Sequence, residues 1–200
     1  MFASLGLLAF SSLFAVVAVL VKLNSRGPVL YRAARAGRDG KTFALLKFRT
    51  MYEDADKRGS GITSADDPRI TSIGRLLRAF KLDELPQLIN VLRGEISFVG
   101  PRPEDPRFVA QYPPEYRRVL LLKPGITSPA SLRYRNESSM LVVENHEQEY
   151  VATIMPAKLK MDLEYFERST FFSRFLVIVR TLLSVFHSLR MTEEKTCTES

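Results

Sequence analysis

The sequence predicts an α+β protein, mostly helical with a small β-sheet, with a membrane-embedded helix at its N-terminus. Three observations lead there. Apolar residues recur at helical spacing in several segments of the 200-residue chain, among them 73–81, 83–93 and 154–168. Two strand-like runs, 29–31 and 42–51, flank the hairpin-type turn Gly37-Arg38-Asp39-Gly40. No charged side chain occurs in residues 1–21.

As one straight helix, Met1 to Val21 would be about 31 Å long, close to the thickness of a bilayer's hydrocarbon. A cleaved signal peptide would carry a basic n-region, which these residues lack. The charge that follows supports an anchor. Lys22, Arg26, Arg32, Arg35, Arg38, Lys41, Lys47 and Arg49 are accompanied by a single acid, Asp39, and the rest of the chain balances, so the net +7 lies beside the apolar segment. A nucleic-acid-binding protein would spread such charge over a recognition fold, and none is evident. A basic collar at the end of an apolar helix is a membrane feature, facing the cytoplasm by the positive-inside rule. Two topologies remain open. A straight helix spans. A helix broken at Ser11-Ser12 leaves arms of about 15 Å, too short to cross, and re-enters on the same face.

The remaining elements follow in order. Ser25-Arg26-Gly27-Pro28 ends the first helix, because Pro28 turns Gly27 away from helical angles. In the strand 42–51, alternation sends Lys47 and Arg49 to one face, which suits a polyanion such as a diphosphate and equally a solvated strand face. Residues 52–72 are polar and turn-rich, a surface loop or a mobile cover. Ile73, Leu76, Leu77 and Phe80 share a helix face, with Arg75, Arg78 and Lys81 on the other. In Leu82–Glu95, Pro86 is tolerated only in a first helical turn, so a helix starts near Asp83 and stops at Gly94. Asp83 and Glu84 then sit at a helix N-terminus, as ordinary capping acids or as functional carboxylates. Adjacent helical residues differ by about 100°, so the two would do different jobs rather than face one bond as an acid–base pair. Pro101 and Pro103 restrict how Arg102 is presented, which suits bidentate phosphate binding. Met140–Val143 reads as a strand or a helix start. Residues 154–168 carry Asp162 among apolar neighbours. Phe171–Arg190 is amphipathic, with a polar stripe including Arg174, Arg180 and His187, and reads as an interfacial helix. Residues 191–200 read as a tail. With one cysteine, Cys197, and two histidines, a disulfide framework and a Cys/His metal site are both disfavoured.

In this order, KFRTM (47–51), DDPRIT (66–71), GRLLR (74–78), LDELPQL (82–88), GE.S.VGPRPE (94–104) and KPGIT (123–127) resemble the bacterial sugar transferases, the monotopic phosphoglycosyl transferases. The resemblance implies an enzyme of the bacterial inner membrane with its catalytic domain on the cytoplasmic face. It divides the chain into an anchor (1–24), a catalytic domain (25–190) and a C-terminal tail (191–200). It implies transfer of a sugar-1-phosphate from a UDP-sugar to a polyprenyl phosphate such as undecaprenyl phosphate, with release of UMP. That is a first membrane step of polysaccharide assembly. Asp83 is implied as nucleophile and Glu84 as a ligand of Mg²⁺. Lys47, Arg49, Arg78, Arg102 and Asp162 are the candidate substrate-binding residues. Membrane lipids are implied partners, nucleic acid is not, and homo-oligomerisation is left open. Two departures stand out. The family's anchor breaks at a Ser-Pro pair, where this chain has Ser11-Ser12, and KPGIT is followed by Ser128-Pro129-Ala130-Ser131 instead of Gly-Trp-Ala-Gln. Donor identity is therefore not carried over. The alternative is a non-catalytic anchored protein that binds anionic lipid or scaffolds an assembly complex.

Overall fold

The computed structural model describes residues 2–55, 67–135 and 146–198. Helices dominate, with two small sheets in place of the one expected. The predicted element at Met140–Val143 and the first residue of the Asp66–Thr71 motif lie outside the described residues.

The chain begins with α1 (Phe2–Ala9) and α2 (Ser11–Asn24), bent by 63° between them. The break falls where the serine pair begins, and the Ser11 hydroxyl donates to the Leu8 carbonyl at 2.9 Å, a local bond that competes with the helical ladder. No single helix among the described residues is long and apolar enough to cross a membrane; this bent pair qualifies only when taken together. One side of it packs inward. Val17 and Val21 join Phe48 and Leu77 in a buried cluster, and Gly6 lies against Leu88. Leu5, Leu8, Val16, Val19 and Leu23 point outward and are exposed.

Strands β1 (Leu30–Ala36) and β2 (Thr42–Phe48) form an antiparallel hairpin with Leu30 opposite Phe48 and Ala36 opposite Thr42. Asp39 and Gly40, both at positive φ, make the predicted turn. A side chain covers the open edge of β2 where a third strand would pair. Asn90, fully buried, accepts from the Leu46 amide at 3.0 Å and donates to the Ala44 carbonyl at 2.8 Å. Those are the backbone groups that an edge strand leaves unpaired.

Helix α3 (Ser72–Ala79) is capped by Thr71, whose hydroxyl accepts from the Gly74 amide. The next helix corrects the expected one. Leu82–Glu84 is a 3-10 turn, and α4 runs only from Gln87 to Leu92. Pro86 stands just before the helix, where its missing amide costs nothing. Asp83 is therefore in the turn that enters α4, not in its first helical turn. β3 (Ser97–Val99) pairs in parallel with β4 (Gly125–Thr127). Between them lies the short α5 (Pro106–Val109), and after β4 comes α6 (Pro129–Arg133), capped by Ser128. α7 (His146–Glu149) continues through a π-turn at Tyr150–Ile154 into α8 (Met155–Arg168). Tyr150, Ile154, Met155, Leu159 and Leu163 fill the largest core with Phe108, Tyr112 and Val119. α9 spans Phe171–Thr198, so the helix continues through most of the segment expected as a tail. It docks through polar contacts, Thr127 to Thr181 at 2.8 Å and Arg135 to Ser184 at 2.6 Å, while Phe171, Phe172, Phe175, Leu182 and Leu183 stay exposed.

Candidate active site

The reversal between α3 and the acidic pair is made at Lys81, with φ 56° and ψ 19°. A left-handed residue commonly closes a helix, but glycine or asparagine usually occupies it; a longer side chain costs roughly 1–2 kcal/mol there. This corrects the expected placement of Lys81 on the α3 face beside Arg75 and Arg78. The turn carries Asp83 inward, to 6% exposure, and leaves its Oδ1 with no hydrogen-bond partner among the described residues. One turn further on, Gln87 is also buried, and its Nε2 also has no partner among the described residues.

Glu84 receives two cations on one oxygen. Arg102 Nη2 lies 2.6 Å and Lys47 Nζ 3.2 Å from Oε1. Three of the sequence-predicted residues, from β2, from the turn before α4 and from the proline-flanked loop after β3, thus meet at one atom. The two carboxylates are driven apart in acidity. Burial pushes the Asp83 carboxyl above the ordinary aspartate value and the Glu84 charge adds to it, against the pull of Lys47, Lys81 and Arg78. Burial also works to raise Glu84, but Arg102 and Lys47 outweigh it and hold that carboxyl well below the glutamate range. One member is a permanent anion clamped by cations. The other is a more basic carboxylate with a bare oxygen, which is the division of labour expected of two acids with different tasks.

Arg78 approaches this pair electrostatically and donates through Nε to Thr50 Oγ1 at 2.8 Å. Arg49 does not join it. Its Nη2 donates to the Ser25 carbonyl at 2.7 Å and the Ser25 hydroxyl at 3.0 Å, at the C-terminal end of α2. Helix ends present unpaired carbonyls and negative dipole, which attract a guanidinium more strongly than an open strand face does. Gly27, at φ 111°, makes the room, since a Cβ there would overlap Arg49 Nη1. β2 ends at Phe48, so the alternation that was expected to pair Arg49 with Lys47 stops one residue short.

Asp162 lies on α8. Its Oδ1 accepts from the Ala130 amide at 3.1 Å, and the Ser128 hydroxyl also donates to it, so it holds the first turn of α6. It shares a cavity with Arg102, Glu104, Tyr112, Tyr150 and Lys158. In that cavity the Tyr150 hydroxyl donates to Glu104 Oε1 at 2.5 Å, with Lys158 Nζ 3.5 Å from the same oxygen. Burial pushes the Asp162 carboxyl up to about 6, offset in part by Ala130, Ser128 and Lys158. The folded state therefore binds this proton more tightly than the unfolded chain, and stability falls as pH rises from about 4 to about 6. Asp162→Asn keeps the acceptor for Ala130 and removes the buried charge. It is expected to flatten that slope in thermal melts and to gain on the order of 2 kcal/mol at pH 7. A slope unchanged by the substitution would assign the pH dependence to other groups.

Sequence analysis gave no site role to Lys81, to Asn90, or to Thr50 and Gln87, although the last two lie inside the KFRTM and LDELPQL motifs. For Gln87 and Asn90 the available signal was polar residues at helical spacing on an otherwise apolar α4. The acidic pair also bears on metal binding. Magnesium is typically held by one or two carboxylates together with substrate phosphate oxygens. Glu84, held as an anion by Arg102 and Lys47, supplies one such carboxylate and fits that ion, while Asp83 Oδ1 is left for another task.

The profile of the family described as bacterial sugar transferase matches residues 1–188. The chain is 46% identical over 133 residues to the undecaprenyl-phosphate glucose phosphotransferase of Komagataeibacter xylinus, covering 63% of this chain and 25% of that protein. It is 34% identical over 180 residues to the UDP-glucose:undecaprenyl-phosphate glucose-1-phosphate transferase of Caulobacter vibrioides, covering 88% and 63%. Over 198 residues it is 32% identical to the exopolysaccharide production protein ExoY of Rhizobium meliloti, covering 92% and 81%. The chain spans less than two-thirds of the length of the first two of these relatives. With a match along nearly its whole length and the Asp83–Glu84 turn gathered by Lys47 and Arg102, this chain belongs to the bacterial sugar transferase family.

Proposed function

We propose that this protein transfers a sugar-1-phosphate from a UDP-sugar to undecaprenyl phosphate through a covalent intermediate on Asp83. The observation that carries this reading is the split dyad, a buried aspartate of raised proton affinity with a bare Oδ1 beside a glutamate fixed as an anion. The acceptor and donor classes come from the names of the relatives.

Once deprotonated, Asp83 Oδ1 attacks the phosphorus that bears the sugar. The bond from that phosphorus to the bridging oxygen breaks, and its electron pair leaves with UMP. An oxygen of the polyprenyl phosphate then attacks the same phosphorus and the Asp83 carboxylate departs, giving a polyprenyl diphosphosugar. Two polyanions never have to meet in one step. Arg102 and Lys47 keep Glu84 ionised and bring positive charge to the mouth of the site, and Arg78 adds its own from α3. When bound through Glu84 and the donor's diphosphate, Mg²⁺ would supply further neutralisation of phosphate charge.

The bent α1–α2 pair is read as a re-entrant anchor in the bacterial inner membrane, with the site on the cytoplasmic face. Its exposed apolar side chains, with Lys22 and Arg26 at its exit, support that reading. The exposed phenylalanines of α9 suit the headgroup layer, where the lipid-borne acceptor is confined.

The test is UMP release by the purified, bilayer-reconstituted protein given undecaprenyl phosphate and a panel of UDP-sugars. Turnover is expected with at least one sugar and is expected to fall at least about 100-fold when EDTA removes divalent metal. EDTA-resistant turnover would remove Glu84 from a metal role, and no turnover with any nucleotide sugar would sink the proposal.

A further inference from the structure

Four cations surround the dyad, and three have protein partners. Lys47 and Arg102 both engage Glu84 Oε1, and Arg78 donates to Thr50. The fourth is Lys81. Its ammonium lies close enough for its charge to act on both Glu84 and Asp83, yet among the described residues its side chain makes no hydrogen bond or ion pair. The backbone sharpens the question. Lys81 occupies the left-handed position that reverses the chain between α3 and Asp83, where glycine or asparagine would fit without strain. Residues held in such conformations cluster at ligand-binding sites, where the surroundings compensate the strain. A helix closure needs the conformation but not a long cationic side chain. What the long side chain adds is a positive charge two residues from Asp83, on the exposed side of the turn.

We propose that Lys81 is a substrate-binding residue whose ammonium takes an oxygen of the donor's diphosphate. This deepens the transferase reading and rests on it for the identity of the donor. It does not rest on it for the chemistry of the contact, which is that of an ammonium with a diphosphate. The donor's diphosphate, esterified at both ends, brings one negative charge on each phosphate, and the cations already paired to Glu84 are only partly available to them. Lys81, exposed on the turn that leads into Asp83, meets the diphosphate without first breaking an ion pair.

The variants separate charge from backbone. Lys81→Asn and Lys81→Gly remove the ammonium and relieve the left-handed strain, so both are expected to melt no lower than the parent. Lys81→Arg keeps the charge. Calorimetric binding of inorganic pyrophosphate in the presence of magnesium is expected to weaken about tenfold in the asparagine and glycine variants and to stay within about threefold in the arginine variant. In turnover, KM for the UDP-sugar is expected to rise by a similar factor, with kcat changed less and KM for undecaprenyl phosphate unchanged. Equal pyrophosphate affinity in the parent and Lys81→Asn would overturn the proposal, as would a rise confined to KM for undecaprenyl phosphate. The two readings fail separately. Normal UMP release with an unaffected Lys81→Asn variant removes Lys81 and leaves the transferase standing. Pyrophosphate binding that depends on Lys81 in a parent that releases no UMP removes the transferase and leaves the diphosphate contact standing.

Discussion

Asp83→Asn is expected to abolish UMP release, by roughly 10⁴-fold or more, while leaving the protein at least as stable as the parent. The two halves of this expectation have one cause. Asp83 is buried, with Oδ1 unpartnered and a second carboxylate next to it, and its proton affinity is raised. For an acid whose folded-state pKa lies above its unfolded value, the folded protein holds the extra proton. Stability then falls as pH rises from the ordinary aspartate value through the raised one, and the loss is complete above it. Above the raised value the parent bears that full penalty and the asparagine variant does not, so the variant should melt at the same temperature or higher. The same shift fixes the activity profile. Attack needs the carboxylate, so turnover should decline on acidification at a pH above that of an ordinary aspartate. Mass spectrometry of parent protein quenched during turnover should find a hexosyl phosphate on residue 83. Retained turnover in Asp83→Asn would exclude Asp83 as nucleophile. A large drop in melting temperature would show instead that its charge holds the fold together.

The gathering of Lys47, Glu84 and Arg102 was legible in the sequence because each is fixed by local rules. A strand pleat sets Lys47, a proline just before a helix sets the turn at 82–84, and two prolines flank Arg102. What escaped is what tertiary contact decides. Arg49 follows the alternation on paper, but the C-terminal end of α2, far away in sequence, offers it carbonyls. Asn90, which no local rule marks out, takes the place of a third strand at the edge of β2. The helix drawn from Asp83 to Gly94 is a 3-10 turn followed by six residues of α-helix, because the left-handed Lys81 sets the chain's direction before Pro86 is reached. The break at Ser11 was readable as an alternative to a straight helix, and the helix is bent there by 63°.

The largest effect expected on stability comes from a glycine that helix propensity alone would advise replacing. On an exposed helix face, glycine to alanine gains about 1 kcal/mol. Gly74, in the first turn of α3, is buried against backbone, and a Cβ there would overlap the Thr50 carbonyl oxygen, with the Thr50 carbon at 2.7 Å and Cα at 2.8 Å. Backbone cannot step aside as a side-chain tip can. The approach is held from both sides, because the Thr71 amide donates to the Thr50 carbonyl at 3.0 Å and the Thr71 hydroxyl caps Gly74. Gly74→Ala must therefore push α3 away from the segment after β2, at a cost of about 3 kcal/mol, the upper end for overpacking. In a chain of this length that is a fall in melting temperature of roughly 10 °C. The displacement also reaches the site. Arg78, one turn along α3, loses Thr50 as a partner, and Lys81 at the end of the same helix carries the turn that buries Asp83. Turnover measured well below the melting point should fall along with stability. Gly40→Ala is the control. Nothing lies within 4 Å of a Cβ at Gly40, so its φ of 73° is the sole cost, about 1 kcal/mol, with turnover unchanged. If the two variants melt alike and both remain active, α3 is not seated on Thr50, and the route from that seat through Arg78 and Lys81 to Asp83 does not exist.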